Sequence, residues 1–106
     1  MKLITRIPTH LNDGSPVSAE SMQTIWMMIA ERFGGVSVDP PGSGAWLDEQ
    51  GKVYDEPSYL VTFATANRSD YVDARQLVIE IGKLLGQKAM YFEVQYFDGV
   101  EIIDTT

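Results

Sequence analysis

The chain contains no cysteine, which removes disulfides, zinc–thiolate sites, iron–sulfur clusters and thiol catalysis together. Histidine occurs once, at His10. Positive charge is scarce: eight Lys and Arg stand against fifteen Asp and Glu, a formal net charge of −7. Binding to a phosphate backbone is driven by cation contacts and counterion release, so direct nucleic-acid binding is not expected. No apolar run approaches the roughly 18 residues of a membrane span, and Met1 to Arg6 lacks the apolar core of a signal peptide. The expectation is a cytoplasmic protein without membrane contact.

What is present is ordinary globular composition, 44% apolar and 10% aromatic over 106 residues. That is one domain's length, enough for a single core, and residues 1–106 read as one domain. The acidity is uneven. Asp39, Asp48, Glu49, Asp55 and Glu56 crowd one stretch against Lys52 alone, and Glu93, Asp98, Glu101 and Asp104 lie in another with no base.

Leu3 to Ile7 alternates as a strand that Pro8, lacking an N–H, brings to an end. After the turn-rich Asn12-Asp13-Gly14-Ser15-Pro16, Ser15 or Ser18 supplies an N-cap. A helix follows whose Met22, Ile25, Trp26, Ile29 and Phe33 form one apolar stripe. Gly34-Gly35 stops it, because glycine enters the left-handed C-cap conformation without steric cost. Val36 to Val38 reads as a strand. Gly42-Ser43-Gly44 has no helix after it, so it is a turn between strands rather than a phosphate cradle. Ala45-Trp46-Leu47 and Lys52-Val53-Tyr54 pair through Glu49-Gln50-Gly51 as a hairpin. Ser58 to Thr65 is the clearest strand.

Ser69 or Asp70 opens a second helix, with Ala74, Leu77, Val78, Ile81 and Leu85 repeating the stripe and Gly86 capping its end. Ala89 to Phe97 alternates as a strand with Met90, Phe92, Val94 and Tyr96 on one face. Asp98-Gly99 turns into a last strand, Val100 to Ile103. The order βαββαβ predicts an α+β, ferredoxin-like sandwich: an antiparallel sheet with two helices on one face and a C-terminal hairpin extension.

The run Glu31-Arg32-Phe33-Gly34-Gly35-Val36-Ser37-Val38, then Gly44-Ala45-Trp46-Leu47-Asp48, Gly51-Lys52-Val53-Tyr54-Asp55-Glu56 and Leu85-Gly86-Gln87-Lys88-Ala89, resembles a family of small bacterial and mobile-element domains of unknown function. It departs from that pattern at Lys88, where an acidic residue commonly follows the glutamine. The resemblance implies a fold but no reaction. For a small member without a signal it implies an accessory protein of a phage or mobile element, such as an inhibitor of a host protein.

No catalytic set assembles from these residues. His10 sits near Asp13 but lacks a nucleophile and reads as a solvated loop histidine. The acids of the hairpin alternate in direction along their strands, which favours a solvated edge over a metal site. Trp46 and Tyr54 face each other across the hairpin, as a core pair or, if exposed, as an anchor ringed by acids. Trp26 belongs to the buried stripe; Met27 and Met28 flank it as core filling or a dimer contact.

The reading that follows is a non-catalytic protein-binding domain acting through acidic hairpin surfaces on a partner with a basic surface. Its tentative binding residues are Trp46, Asp48, Glu49, Tyr54, Asp55, Glu56, Glu101 and Asp104, with no metal and no cofactor. The alternatives are a small-ligand-binding protein or enzyme with a pocket near the Gly-rich loop, using Trp46, Tyr54, Arg68 or His10, and a structural homodimer.

Overall fold

The computed structural model describes residues 1–96, 101 and 103–105, with the backbone alone at residues 46, 54 and 55. The strands are β1 (Lys2–Pro8), β2 (Ser37–Val38), β3 (Ala45–Leu47), β4 (Val53–Asp55), β5 (Ser58–Ala64) and β6 (Phe92–Gln95). Helix α1 (Ala19–Phe33) follows β1, and helix α2 (Tyr71–Leu84) follows β5 through a single 3₁₀ turn at Arg68–Asp70.

Four strands form one antiparallel sheet in the order β2-β5-β1-β6, so the two longest occupy its centre. Both helices cover one face, and the α+β, ferredoxin-like architecture expected from the apolar pattern is the one observed. Alternation along β1 sends Leu3, Thr5 and Ile7 toward the helices, all fully buried, and leaves Arg6 exposed on the opposite face. Val61 and Phe63 of β5 join them, and the helices contribute Met22, Ile25, Ile29, Leu77 and Ile81. The buried hydroxyl of Thr5 donates to the Tyr91 carbonyl at 2.7 Å, so the core holds no orphaned polar group at this point.

Helix α1 starts where Ser18 accepts a hydrogen bond from the Ser21 N–H at 3.0 Å, and it ends at Gly34 with φ of 83°. The start of α2 differs from the expected Ser69 or Asp70 cap. Asn67 caps the preceding 3₁₀ turn by accepting from the Ser69 N–H, while Asp70 accepts from the Thr65 hydroxyl instead of from the helix. An Asx-type turn thus intercepts the chain before the helix proper begins.

The end of α2 is a complete Schellman motif. The Gln87 N–H donates to the Gly82 carbonyl at 2.9 Å and the Gly86 N–H to the Lys83 carbonyl at 3.2 Å, with Gly86 at φ of 65°. One turn earlier the side chain of Met90 lies so close that a Cβ on Gly82 would meet its Cγ at 2.7 Å. The α2–β6 connection is therefore pressed onto the helix it leaves.

The hairpin β3–β4 has the expected register, Trp46 opposite Tyr54, but it is a separate two-stranded sheet. It joins the main sheet through a bridge in which Gly42 and Ser58 exchange both backbone hydrogen bonds at 3.0 Å. The strand expected from Ala89 to Phe97 contracts to Phe92–Gln95. Met90, Phe92 and Val94 do pack on the core, while Tyr96 is exposed. The Asp98-Gly99 turn, Val100 and Ile102 lie outside the described residues, and Glu101 and Ile103 are not part of a strand.

Candidate functional site

One end of the sheet gathers three pieces of chain distant in sequence. There β1 terminates at Pro8 opposite Ser58, the base of the hairpin arm passes alongside, and the α2–β6 connection crosses. Between them lies a cleft with two lobes. The first, about 520 Å³, is lined by Arg6, Ser43, Gly44, Ala45, Met90 and Tyr91; the second, about 720 Å³, by His10, Leu11, Asn12, Gly14, Pro57 and Lys88. Pro8, Glu56, Gln87 and Ala89 line both. Each volume is in the range of small-molecule sites.

Local chemistry explains why each wall is where it is. Arg6 is on the sheet face without helices, and its guanidinium carbon lies 6.0 Å from the Tyr91 ring centroid, a cation–π distance. Tyr91 is held by the Thr5 hydroxyl on its carbonyl. Glu56 is fixed at the foot of the arm by its N–H donating to the Gly44 carbonyl at 3.0 Å. The next residue, Pro57, accepts from the Thr9 N–H at 3.1 Å and from the Thr9 hydroxyl at 3.3 Å. The Schellman motif then points residues 87–91 back along the cleft.

The wall of the second lobe is the turn from Leu11 to Ser15. It closes with the Leu11 N–H on the Ser15 carbonyl at 2.8 Å. Asp13 supports it by accepting from the Ser15 hydroxyl at 2.5 Å and the Ser15 N–H at 2.9 Å, which together hold its carboxyl below the ordinary aspartate value. Asp13 is thus engaged with Ser15 rather than with His10. The His10 ring is exposed, with Nδ1 2.7 Å from the Thr9 hydroxyl.

The residues singled out from sequence do not meet at one place. Glu56 is in the cleft. Asp48 builds the arm's turn, its Oδ1 accepting from the Gln50 and Lys52 N–H groups at 2.9 Å each. Glu49, Glu101 and Asp104 are exposed, and the backbone of Trp46, Tyr54 and Asp55 lies in the arm. Arg68 lies over Tyr96, 5.5 Å from its ring centroid, and does not line either lobe. Gly42-Ser43-Gly44 connects β2 to β3 without the expected turn: Gly42 pairs with Ser58 as a β-bridge, and Ser43 and Gly44 line the first lobe. Arg6, Asn12 and Tyr91 were missed, and Gln87 appeared only as part of a motif. Their one local signal was the polar Arg6 at an alternation position, which reads equally well as surface.

No described group of three or more His, Asp or Glu is arranged to hold a metal ion, and no described helix is long and apolar enough to cross a membrane.

Two helices over a β2-β5-β1-β6 sheet, with a cleft where β1 ends, define a ferredoxin-like α+β domain with a ligand-sized site at one end of its sheet. Solved structures share the fold. A phage SAM lyase in complex with S-methyl-5'-thioadenosine superposes with a TM-score of 0.69 at 16% identity, over 89% of this chain and 78% of that one. The divalent cation tolerance protein CutA1 from Thermus thermophilus gives 0.64 at 15% identity, over 95% and 88%. The PII-like protein CutA from Nostoc sp. PCC 7120 gives 0.61 at 15% identity, over 92% and 80%. No family model matches the chain, and no curated protein matches it in sequence.

Proposed function

We propose that the chain is a small-molecule-binding domain whose ligand is a sulfur-bearing nucleoside of the class of SAM and S-methyl-5'-thioadenosine. The observation that carries this reading is the two-lobed cleft meeting at Glu56 and Gln87, with Tyr91 offering an aromatic face in the first lobe. A purine needs a flat apolar surface, and the remainder of such a ligand needs a polar continuation. The two lobes match that division. The phage lyase with the same fold was solved with a ligand of this class, which supports the choice among small molecules. It also accords with the phage or mobile-element context implied by the sequence motifs.

Titration of ¹⁵N-labelled protein with S-methyl-5'-thioadenosine is the test. The expected result is saturable shifts of the amides of Arg6, Gln87 and Tyr91, absent in a Tyr91→Ala variant. Absence of saturable shifts in the native protein with both this compound and SAM overturns the reading.

A second reading rests on the arm. Leu47 is 65% and Val53 61% exposed, and they are partners across the hairpin. An apolar pair beside Glu49 and Asp48 suits a protein partner with a basic rim. Affinity for a basic partner protein that is unchanged between low and high salt would remove the electrostatic part of this reading.

A further inference from the structure

The junction of the two lobes contains a hydrogen-bond chain whose polarity can be deduced from one end. Gly86 presents a backbone carbonyl, which can only accept, and the Asn12 side chain meets it at 2.9 Å. The Asn12 atom there must therefore be Nδ2, and its other end must be the Oδ1 oxygen. That oxygen lies 3.1 Å from the Gln87 side chain, which must offer a donor, Nε2. The second N–H of the same nitrogen points to the Leu85 carbonyl at 3.3 Å, again an acceptor. Three acceptors in sequence leave one orientation of each amide. Both donors of Gln87 are committed, which leaves Oε1 as its uncommitted polar atom.

Backbone geometry reinforces the side-chain logic. Gln87 occupies the position after the left-handed Gly86, with its own N–H locked on Gly82. Asn12 sits in a turn closed by Leu11, Asp13 and Ser15.

Glu56 lines both lobes with Gln87, and an ionised carboxylate only accepts. We infer that Asn12 is a positioning residue: it holds the Gln87 amide so that Gln87 Oε1 and the Glu56 carboxylate form an acceptor pair that favours a positively charged sulfur centre in the ligand. This deepens the proposed function and rests on it. For a sulfur-bearing nucleoside, the pair favours a sulfonium over a neutral thioether. A flipped Gln87 would offer a donor instead of an acceptor at the junction of the lobes, cancelling that selectivity.

Two measurements test it. First, in the ligand-free protein, the Gln87 side-chain NH₂ protons should exchange with solvent measurably more slowly than those of the exposed Gln23 and Gln76. Asn12→Ala should abolish the difference while backbone amide shifts away from residues 11–15 and 85–89 stay unchanged. Exchange as fast as at Gln23 in the native protein overturns the positioning role. Second, SAM and its neutral thioether counterpart S-adenosylhomocysteine are titrated in parallel. The native protein should prefer SAM by about tenfold, since the two compounds differ only in the sulfonium charge and its methyl group and the pair attracts that charge through its oxygens. Asn12→Ala, Gln87→Met and Glu56→Gln should each bring the two affinities together. Equal affinity for the two compounds in the native protein overturns this inference and leaves the proposed function standing; saturation by neither overturns both.

Discussion

The sheet-and-helix body and the hairpin arm both carry aliphatic residues on paired strands and differ in what covers them. In the body, Leu3, Ile7, Ile29, Val61 and Leu77 have no solvent exposure, because two helices close over the sheet. In the arm, Leu47 and Val53 stand on a two-stranded ribbon with more than half their surface in water. An isolated hairpin is marginal in water, so the arm depends on its root, the Gly42–Ser58 bridge and the Glu56 to Gly44 hydrogen bond. β-propensity suffices to pair two strands, but only burial makes the pair a source of stability. The cleft sits where the two regimes meet, with rigid walls from the body and one wall from the foot of the arm.

The contrast breaks first in the body. Leu77→Ala removes a fully buried side chain and should cost about 2–5 kcal/mol, read as a lower urea midpoint at unchanged slope. A loss below about 1 kcal/mol would mean that the core is looser than its burial implies. Next comes the boundary. Gly82→Ala forces Met90 away from α2, at a cost of about 1–3 kcal/mol. Amide shifts should spread from Met90 to Gln87 and Tyr91, since the same connection lines the cleft.

The arm should respond least among the substitutions of apolar residues. Leu47→Ser with Val53→Ser should stay within about 0.5 kcal/mol of the native midpoint, because these side chains are already in water. A larger loss in a concentration-dependent transition would show that another chain covers them.

The smallest effect is the acid limb of the Leu11–Ser15 turn. The Ser15 hydroxyl, and then its N–H, lower the Asp13 pKa in the folded chain. A depressed carboxyl stabilises above its unfolded value, about 3.9, and the contribution is lost as pH falls through the lower folded value. Asp13→Asn should therefore be slightly less stable than the native chain at about pH 6, with the gap closing below pH of about 4. A gap that widens on acidification would reverse the sign and remove Ser15 as the cause.

Much of the fold was legible locally. The stripes Met22-Ile25-Ile29 and Ala74-Leu77-Ile81, the Ser18 cap, the Gly34 stop and the Trp46–Tyr54 register each depend on residues within a turn or two of one another. The cleft was legible only in part. Glu56 was one of several hairpin and edge acids with no mark to separate it from Asp48, yet one lines the cleft and the other ties a turn. Asn12 and Gln87 are 75 residues apart, and no local pattern in either segment announces the other.

Sequence by itself determined the α+β class, the two amphipathic helices and the acidity of the arm, because periodicity, caps and charge act over a few residues. Tertiary structure alone decided that the hairpin leaves the main sheet, that Arg6 and Tyr91 meet, and that Asn12 orients Gln87. Those outcomes depend on which surfaces the folded sheet brings within hydrogen-bond or van der Waals reach, a distance that separation along the chain does not encode.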